Sequence, residues 1–336
     1  LTWETSHSVN TGFDFTFFKG RLDGSIEYFS RKTTDLLYYK PVAPSLGYSH
    51  LPMNVGSMYN RGLELGFNGV AVQSNNVDLS FNFNMTYFKN KINKLDKSLN
   101  GELIDGSRIY REGESLYQLY LRNYAGINDE GVALYYRNVL DDDKQVVLDE
   151  NGQIMRETTT DWNTATRYGT GDILPKVYGG FGANLQVYDF DFSISFAYQL
   201  GGKIYDNTYA SLMHSGGANT LGTNWHKDIR KAWKPDGVYT DVPRLHFSDS
   251  HTNKLSDRFL TNSNYLNLQN ISLGYNVPKS LLRKIDISAL RIYVVADNVA
   301  LFSKRKGLDP RQSYTSSANS NYSPIRTISG GITLSF

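Results

Sequence analysis

Several groups of residues in this chain have types and spacings from which chemistry is built. The first is acidic: Asp141-Asp142-Asp143 is followed by Asp149-Glu150-Asn151-Gly152. Carboxylates at this density can supply oxygen ligands for calcium, with Asp141, Asp143 and Asp149 as the set. The ligand spacing of a calcium loop is missing, and Glu-Asn-Gly is an ordinary hairpin turn, so the stretch reads as a solvated loop without metal. The second group is glycine-rich. Gly179-Gly180-Phe181-Gly182 lacks the third glycine and the helix of a dinucleotide loop, and Gly201-Gly202-Lys203 lacks the earlier glycine of a phosphate loop. The third group is aromatic. Tyr117, Tyr120, Tyr124, Trp162, Trp225 and Trp233 occupy the two longest stretches without strand pattern. Flat rings there can stack on sugar faces or peptide side chains, or form small cores of the loops themselves. These six are the substrate-contact candidates. The six histidines, His214, His226, His246 and His251 among them, show no HExxH pairing, and no Gly-x-Ser-x-Gly elbow occurs. Neither an enzyme nor a cofactor is expected.

The elements that must hold these segments are strands. Phe190, Phe192, Ile194, Phe196, Tyr198 and Leu200 take even positions, while Asp191, Ser193, Ser195, Ala197 and Gln199 take the odd ones. A period of two places rings and branched carbons on one face and polar groups on the other. The same alternation predicts a strand over 8–18, with Val9, Thr11, Phe13, Phe15 and Phe17 on one side, and a return strand with Leu22, Gly24, Ile26 and Tyr28 after a turn at Lys19-Gly20. Further strands carry Leu63, Leu65 and Phe67; then Leu79, Phe81, Phe83, Met85 and Tyr87; then Val177, Phe181, Ala183 and Leu185. Leu266 and Leu268 are even whereas Ile271, Leu273 and Tyr275 are odd, a parity slip near Asn270 that a bulge explains. The last strands carry Leu290, Ile292, Val294 and Ala296, then Ile328, Gly330, Ile332, Leu334 and Phe336.

Connections alternate between short and long. Turns at 19–20, 73–76, 187–189 and 278–286 alternate with long stretches at 37–57, 93–172, 203–258 and 303–324. A soluble sandwich has no reason to keep all its long loops at one end, whereas an outer-membrane barrel does. Rings gather near strand ends, as Phe17 and Phe18, Tyr87 and Phe88, or Tyr198, where interface girdles lie. No Lys or Arg interrupts the apolar sets; one at mid-bilayer costs about 2–4 kcal/mol. No run of about eighteen apolar residues offers a transmembrane helix. The 336 residues contain no cysteine and carry a net charge of +2, which gives no support for nucleic acid as a partner. The fold class is therefore all-β, an antiparallel transmembrane β-barrel with about nine spans. Bacterial single-chain barrels have even strand numbers, and the chain opens at Leu1-Thr2-Trp3-Glu4 without a signal peptide, so it is expected to be a piece of something longer. The alternative is a surface β-sandwich adhesin or lectin whose apolar faces bury one another.

Several segments resemble the SusC/RagA-like TonB-dependent transporters of Bacteroidetes outer membranes. They are Asn10-Thr11-Gly12-Phe13-Asp14-Phe15 with Thr34-Asp35-Leu36-Leu37, and Asn54-Val55-Gly56-Ser57-Met58-Tyr59-Asn60-Arg61-Gly62-Leu63-Glu64. Trp233-Lys234-Pro235-Asp236-Gly237 with Thr240-Asp241-Val242-Pro243-Arg244 follows. The tail adds Tyr265-Leu266-Asn267-Leu268-Gln269-Asn270-Ile271-Ser272-Leu273-Gly274-Tyr275-Asn276-Val277-Pro278, Ala296-Asp297-Asn298-Val299 and Gly307-Leu308-Asp309-Pro310. The resemblance implies the C-terminal portion, residues 1–336, of a 22-stranded barrel, with the plug domain, signal peptide and TonB box outside this chain. It further implies an outer-membrane location, import of oligosaccharides or peptides, a SusD/RagB-like lipoprotein, energy from TonB through the N-terminal part, and a dimer of transporter–lipoprotein pairs. Phe336 resembles the C-terminal aromatic read by the outer-membrane assembly machinery. Arg311 departs from the acidic residue often found after the Asp-Pro pair.

Overall fold

The computed structural model describes residues 1–336 apart from 238, 284–286, 313–316 and 319–322. Nine strands form one antiparallel sheet: β1 (Thr5–Phe17), β2 (Leu22–Thr34), β3 (Gly56–Gln73), β4 (Val77–Leu95), β5 (Val177–Val187), β6 (Phe190–Leu200), β7 (Tyr265–Asn276), β8 (Ala289–Ser303) and β9 (Thr327–Ser335). Each strand pairs with its neighbours in sequence, so the sheet is an up-and-down stretch of barrel wall with the expected number of spans. β3 and β4 run to 18 and 19 residues, well past the apolar positions that mark them in the sequence.

The register relays one face across the sheet. Phe13 pairs with Ile26, Ile26 with Leu65, Leu65 with Met85, Met85 with Gly179, Gly179 with Tyr198 and Tyr198 with Leu266. Directly opposed residues in an antiparallel pair share a face, so every apolar set lands on the same side. The rings there approach one another: Phe67 and Phe83 have centroids 6.2 Å apart, Phe83 and Tyr198 6.4 Å, and Phe181 and Phe196 4.8 Å. Phe15 and Phe67 meet at 5.9 Å across β2 because Gly24 stands between them; a Cβ there would lie 2.7 Å from Phe15 and 2.8 Å from Phe67.

Among the described residues, nothing seals this face. Phe13 is 59% exposed and Ile332 66%. A sandwich requires a second sheet closed over these rings, and their exposure sets that alternative aside. The opposite face carries amides, hydroxyls and charges. On it Asp191 of β6 and Arg291 of β8 pair at 2.5 Å by reaching over Gly274 of β7, where a Cβ would stand 2.5 Å from the carboxylate.

The parity slip near Asn270 is a bulge at Gln269: Ser195 faces Asn270, but Phe196 faces Leu268. On the β8 side Leu268 faces Ala300 and Asn270 faces Asp297, with Asn298 at φ 50. The extra residues return Leu266 and Leu268 to the face of Ile271 and Leu273.

Because the strands run up and down in order, the connections 35–55, 96–176, 201–264 and 304–326 share one end. The turn expected at 278–286 opens with a helix, Lys279–Leu282, and 284–286 lie outside the described residues. The loop expected at 303–324 likewise lies partly outside them. The long connections are folded in their own right and form a crown on the wall. One carries a hairpin, Leu37–Pro41 with His50–Asn54, and others contribute a four-stranded and two three-stranded sheets. The main buried cluster, with Leu119, Leu121, Ile173, Tyr205, Met213, Val242 and Phe259, joins the two longest connections. The protein-facing core therefore sits in the crown.

Candidate functional site

The crown meets the polar face of the wall around a cleft of about 810 Å³. Most of its strand-borne lining comes from positions that the period of two sends inward: Asn84 and Phe88 from β4, Tyr178 and Gly180 from β5, Ala197 and Gln199 from β6; Gly179 and Tyr198 of the outward set border it as well. Ile173, Leu174 and Lys203 close it from the crown, and Gln269 and Arg311 line another side. Apolar walls with a few convergent amides and cations at this volume suit a ligand pocket. Gly180, Lys203, Gln269 and Arg311 fall within segments quoted from the sequence, none of them as a substrate contact, while Asn84, Tyr178 and Gln199 carry no motif. The signal available was parity: polar-face positions near the long-loop ends of the strands line the cleft.

Arg311 is fixed by a clasp. Asp309, whose side chain is 3% exposed, accepts from Nη2 of Arg311 at 2.6 Å, from its Nε at 2.9 Å and from its backbone N–H at 3.0 Å. The same guanidinium donates to Asn298 Oδ1 at 2.9 Å, and Asn298 Nδ2 donates to Pro324 O at 2.6 Å. Hydrogen bonding to Asp309 raises the Arg311 pKa further above its usual value. Through Asn298, Arg311 ties the closing connection to β8.

Of the six aromatic candidates, five are half-buried in the crown. Tyr117 packs on the main cluster with the Arg108 guanidinium 5.3 Å from its ring, and Arg111 lies 5.6 Å from the ring of Tyr120. Tyr124 donates to Asp241 O at 2.6 Å, and burial pushes its pKa up to about 12. Trp162 donates from Nε1 to Leu255 O at 2.9 Å while Arg122 covers its ring at 3.7 Å. Trp233 packs over the backbone of Gly131, and its N–H donates to Val242 O at 2.9 Å. Trp225 differs. It is 47% exposed, with one ring face stacked on His214 at 4.9 Å. These side chains are distributed through the crown and do not converge on the cleft.

The acidic candidates close turns. Asp141 Oδ1 accepts from Gln145 N at 2.8 Å, and Asp149 Oδ1 accepts from Asn151 N and Gln153 N at 2.9 and 2.8 Å; Asp143 is exposed. No group of three His, Asp or Glu converges among the described residues. Phe336 follows β9 directly and is exposed.

Comparison with known proteins matches residues 1–299 to the family model described as TonB dependent receptor-like, beta-barrel. The TonB-dependent receptor P3 of Formosa agariphila is 30% identical over 361 residues, covering 100% of this chain and 34% of that protein. The TonB-dependent receptor SusC of Bacteroides thetaiotaomicron is 27% identical, covering 100% of this chain and 32% of its own length. The solved structure of the RagAB peptide transporter matches with TM-score 0.83 at 29% identity, covering 100% of this chain and 36% of that one. The chain thus spans about a third of the length of the curated relatives it matches. An outward apolar face carried in register over nine strands, a polar inner face and a one-ended crown agree with that likeness, and the chain belongs to the TonB-dependent receptor β-barrel family.

Proposed function

We propose that the whole protein is an outer-membrane importer of oligosaccharides or peptides, energised through TonB and working with a SusD/RagB-like lipoprotein. The nine strands are then the C-terminal wall of its barrel, and an N-terminal part supplies the plug and the remaining strands. The observation that carries this reading is the cleft of about 810 Å³ between a polar inner wall and a folded crown, on a sheet whose other face is dressed for hydrocarbon. Likeness to SusC and to the RagAB peptide transporter supports the substrate classes and the lipoprotein. Within the crown, Trp225 keeps the most accessible ring of the six aromatics and is the first choice for stacking on a substrate. The chain's part is to bind and to bound a passage, with no bond made or broken.

The test is isolation of the full-length protein from outer membranes in detergent, with identification of what travels with it. A stoichiometric lipoprotein and a bound oligosaccharide or peptide are expected. Recovery as a soluble protein after detergent removal, with no lipoprotein attached, overturns the reading.

A further inference from the structure

The outward face changes character at the crown end of β2, β3 and β4. The row Tyr28–Leu63–Tyr87 is the last apolar one. Above it the register sets Ser30, Arg61 and Lys89 side by side, and above that Lys32, Tyr59 and Lys91. Four cations thus share a small area, Arg61 directly opposite Lys89, an arrangement that repels itself when nothing lies between the charges. Within this part of the face, from Tyr28, Leu63 and Tyr87 up to Lys91, there is no Asp or Glu. Among the described residues none of the four makes an ion pair within 4.0 Å. Arg61 is held flat to the wall, its guanidinium 3.8 Å from the ring centre of Tyr59. At the level of Tyr87 the neighbouring strands offer only Val177 and Leu200, so the charge is local.

The height of the patch is informative. The residues from Val77 to Tyr87 on β4, at about 3.3 Å per step and a tilt of about 40°, rise roughly 25 Å, the thickness of a barrel's apolar band. Lys89 and Arg61 therefore stand just where hydrocarbon gives way to headgroups. At the same two lysines, Lys89 and Lys91, a recess of about 720 Å³ opens above the end of β5 and takes in Lys176 and Lys203, with Asp172 and Glu114 also on its walls.

We propose that Lys32, Arg61, Lys89 and Lys91 form a lipid-facing binding site for the phosphorylated headgroup of an outer-leaflet lipid, the phosphate lying between the opposed Arg61 and Lys89. The site rests on the membrane placement proposed above and is independent of what the protein imports.

The experiment uses the full-length protein and phosphatidic acid in a phosphatidylcholine bilayer, with phosphatidylcholine alone as the comparison and inorganic phosphate as competitor. Bound lipid is read by native mass spectrometry. Each cation near a membrane surface contributes about five-fold in affinity, so an Arg61→Gln, Lys89→Gln variant should hold phosphatidic acid about 25-fold less well. Lys254→Gln, in the crown, should change nothing. A single Lys91→Gln variant should give about a five-fold loss and serves if the double variant fails to assemble, as judged by heat-modifiable migration on a gel. Equal retention by wild type and variants, no preference for phosphatidic acid, or displacement by equimolar inorganic phosphate overturns the lipid site. Recovery of the protein without detergent is a separate result that overturns the membrane reading itself.

Discussion

Replacing Arg311 with methionine should free the closing connection while leaving the wall standing. Asp309 takes three hydrogen bonds from residue 311, two of them from the guanidinium, and its side chain is 3% exposed while that of Arg311 is 19% exposed. Removing one member of a buried pair costs about 3–5 kcal/mol because the other charge stays behind. Here the backbone N–H of residue 311 still reaches the carboxylate and Arg311 is partly wet, so about 2–3 kcal/mol is expected. Since 1.4 kcal/mol is a factor of ten, local opening should rise about 30- to 140-fold. Amide hydrogen exchange across 305–311 in the full-length protein reads this directly, with the β4–β5 pairing as an internal control that should not move. Removing both charges, as Arg311→Met with Asp309→Asn, should restore most of the protection, because the stranded carboxylate is the costly species. Exchange altered by less than about five-fold in the single variant would refute the clasp, as would a double variant as open as the single changes combined.

Two further perturbations test the crown. Gly131→Ala forces a side chain onto a residue at φ +78 and into the Trp233 ring, 2.5 Å from the added carbon, so a cost of about 1–3 kcal/mol is expected as faster proteolysis of the crown; unchanged cleavage would show that Trp233 does not pack there. Burial raises the pKa of Asp257 above 3.8 even though Tyr124 N–H donates to it at 2.7 Å, so its contribution is fully present below that value and is lost as pH rises through the folded-state pKa. Asp257→Asn should flatten this part of the crown's stability against pH, and identical pH profiles for variant and wild type would remove Asp257 as the cause.

The wall was legible because its rule is local and repeated. Membrane on one side and polar groups on the other impose a period of two, and the slip at Gln269 was visible as a change of parity between Leu268 and Ile271. The crown was not legible. Its strands, such as Glu102–Asp105 and Tyr124–Ile127, run only four residues, too short for alternation to declare itself. Their partners lie far away in sequence, as Tyr135 shows by donating to His251 O at 2.5 Å. The aromatic candidates were chosen for lying outside strands, and most are tied up in those distant pairings. The cleft is lined instead by residues such as Asn84, Tyr178 and Gln199, which no motif marks.

The strand-to-strand relay of the apolar face also bears on which changes of length this chain can survive. Adding or deleting one residue inside a span turns every later side chain of that span over, putting rings into the passage and carboxamides into oil. An extra pair of residues, or any insertion among the crown connections, leaves the facing intact. Length differences among relatives should therefore collect in the crown or come in even steps, and Gln269, which already absorbs an odd residue, marks a place where the wall can be edited.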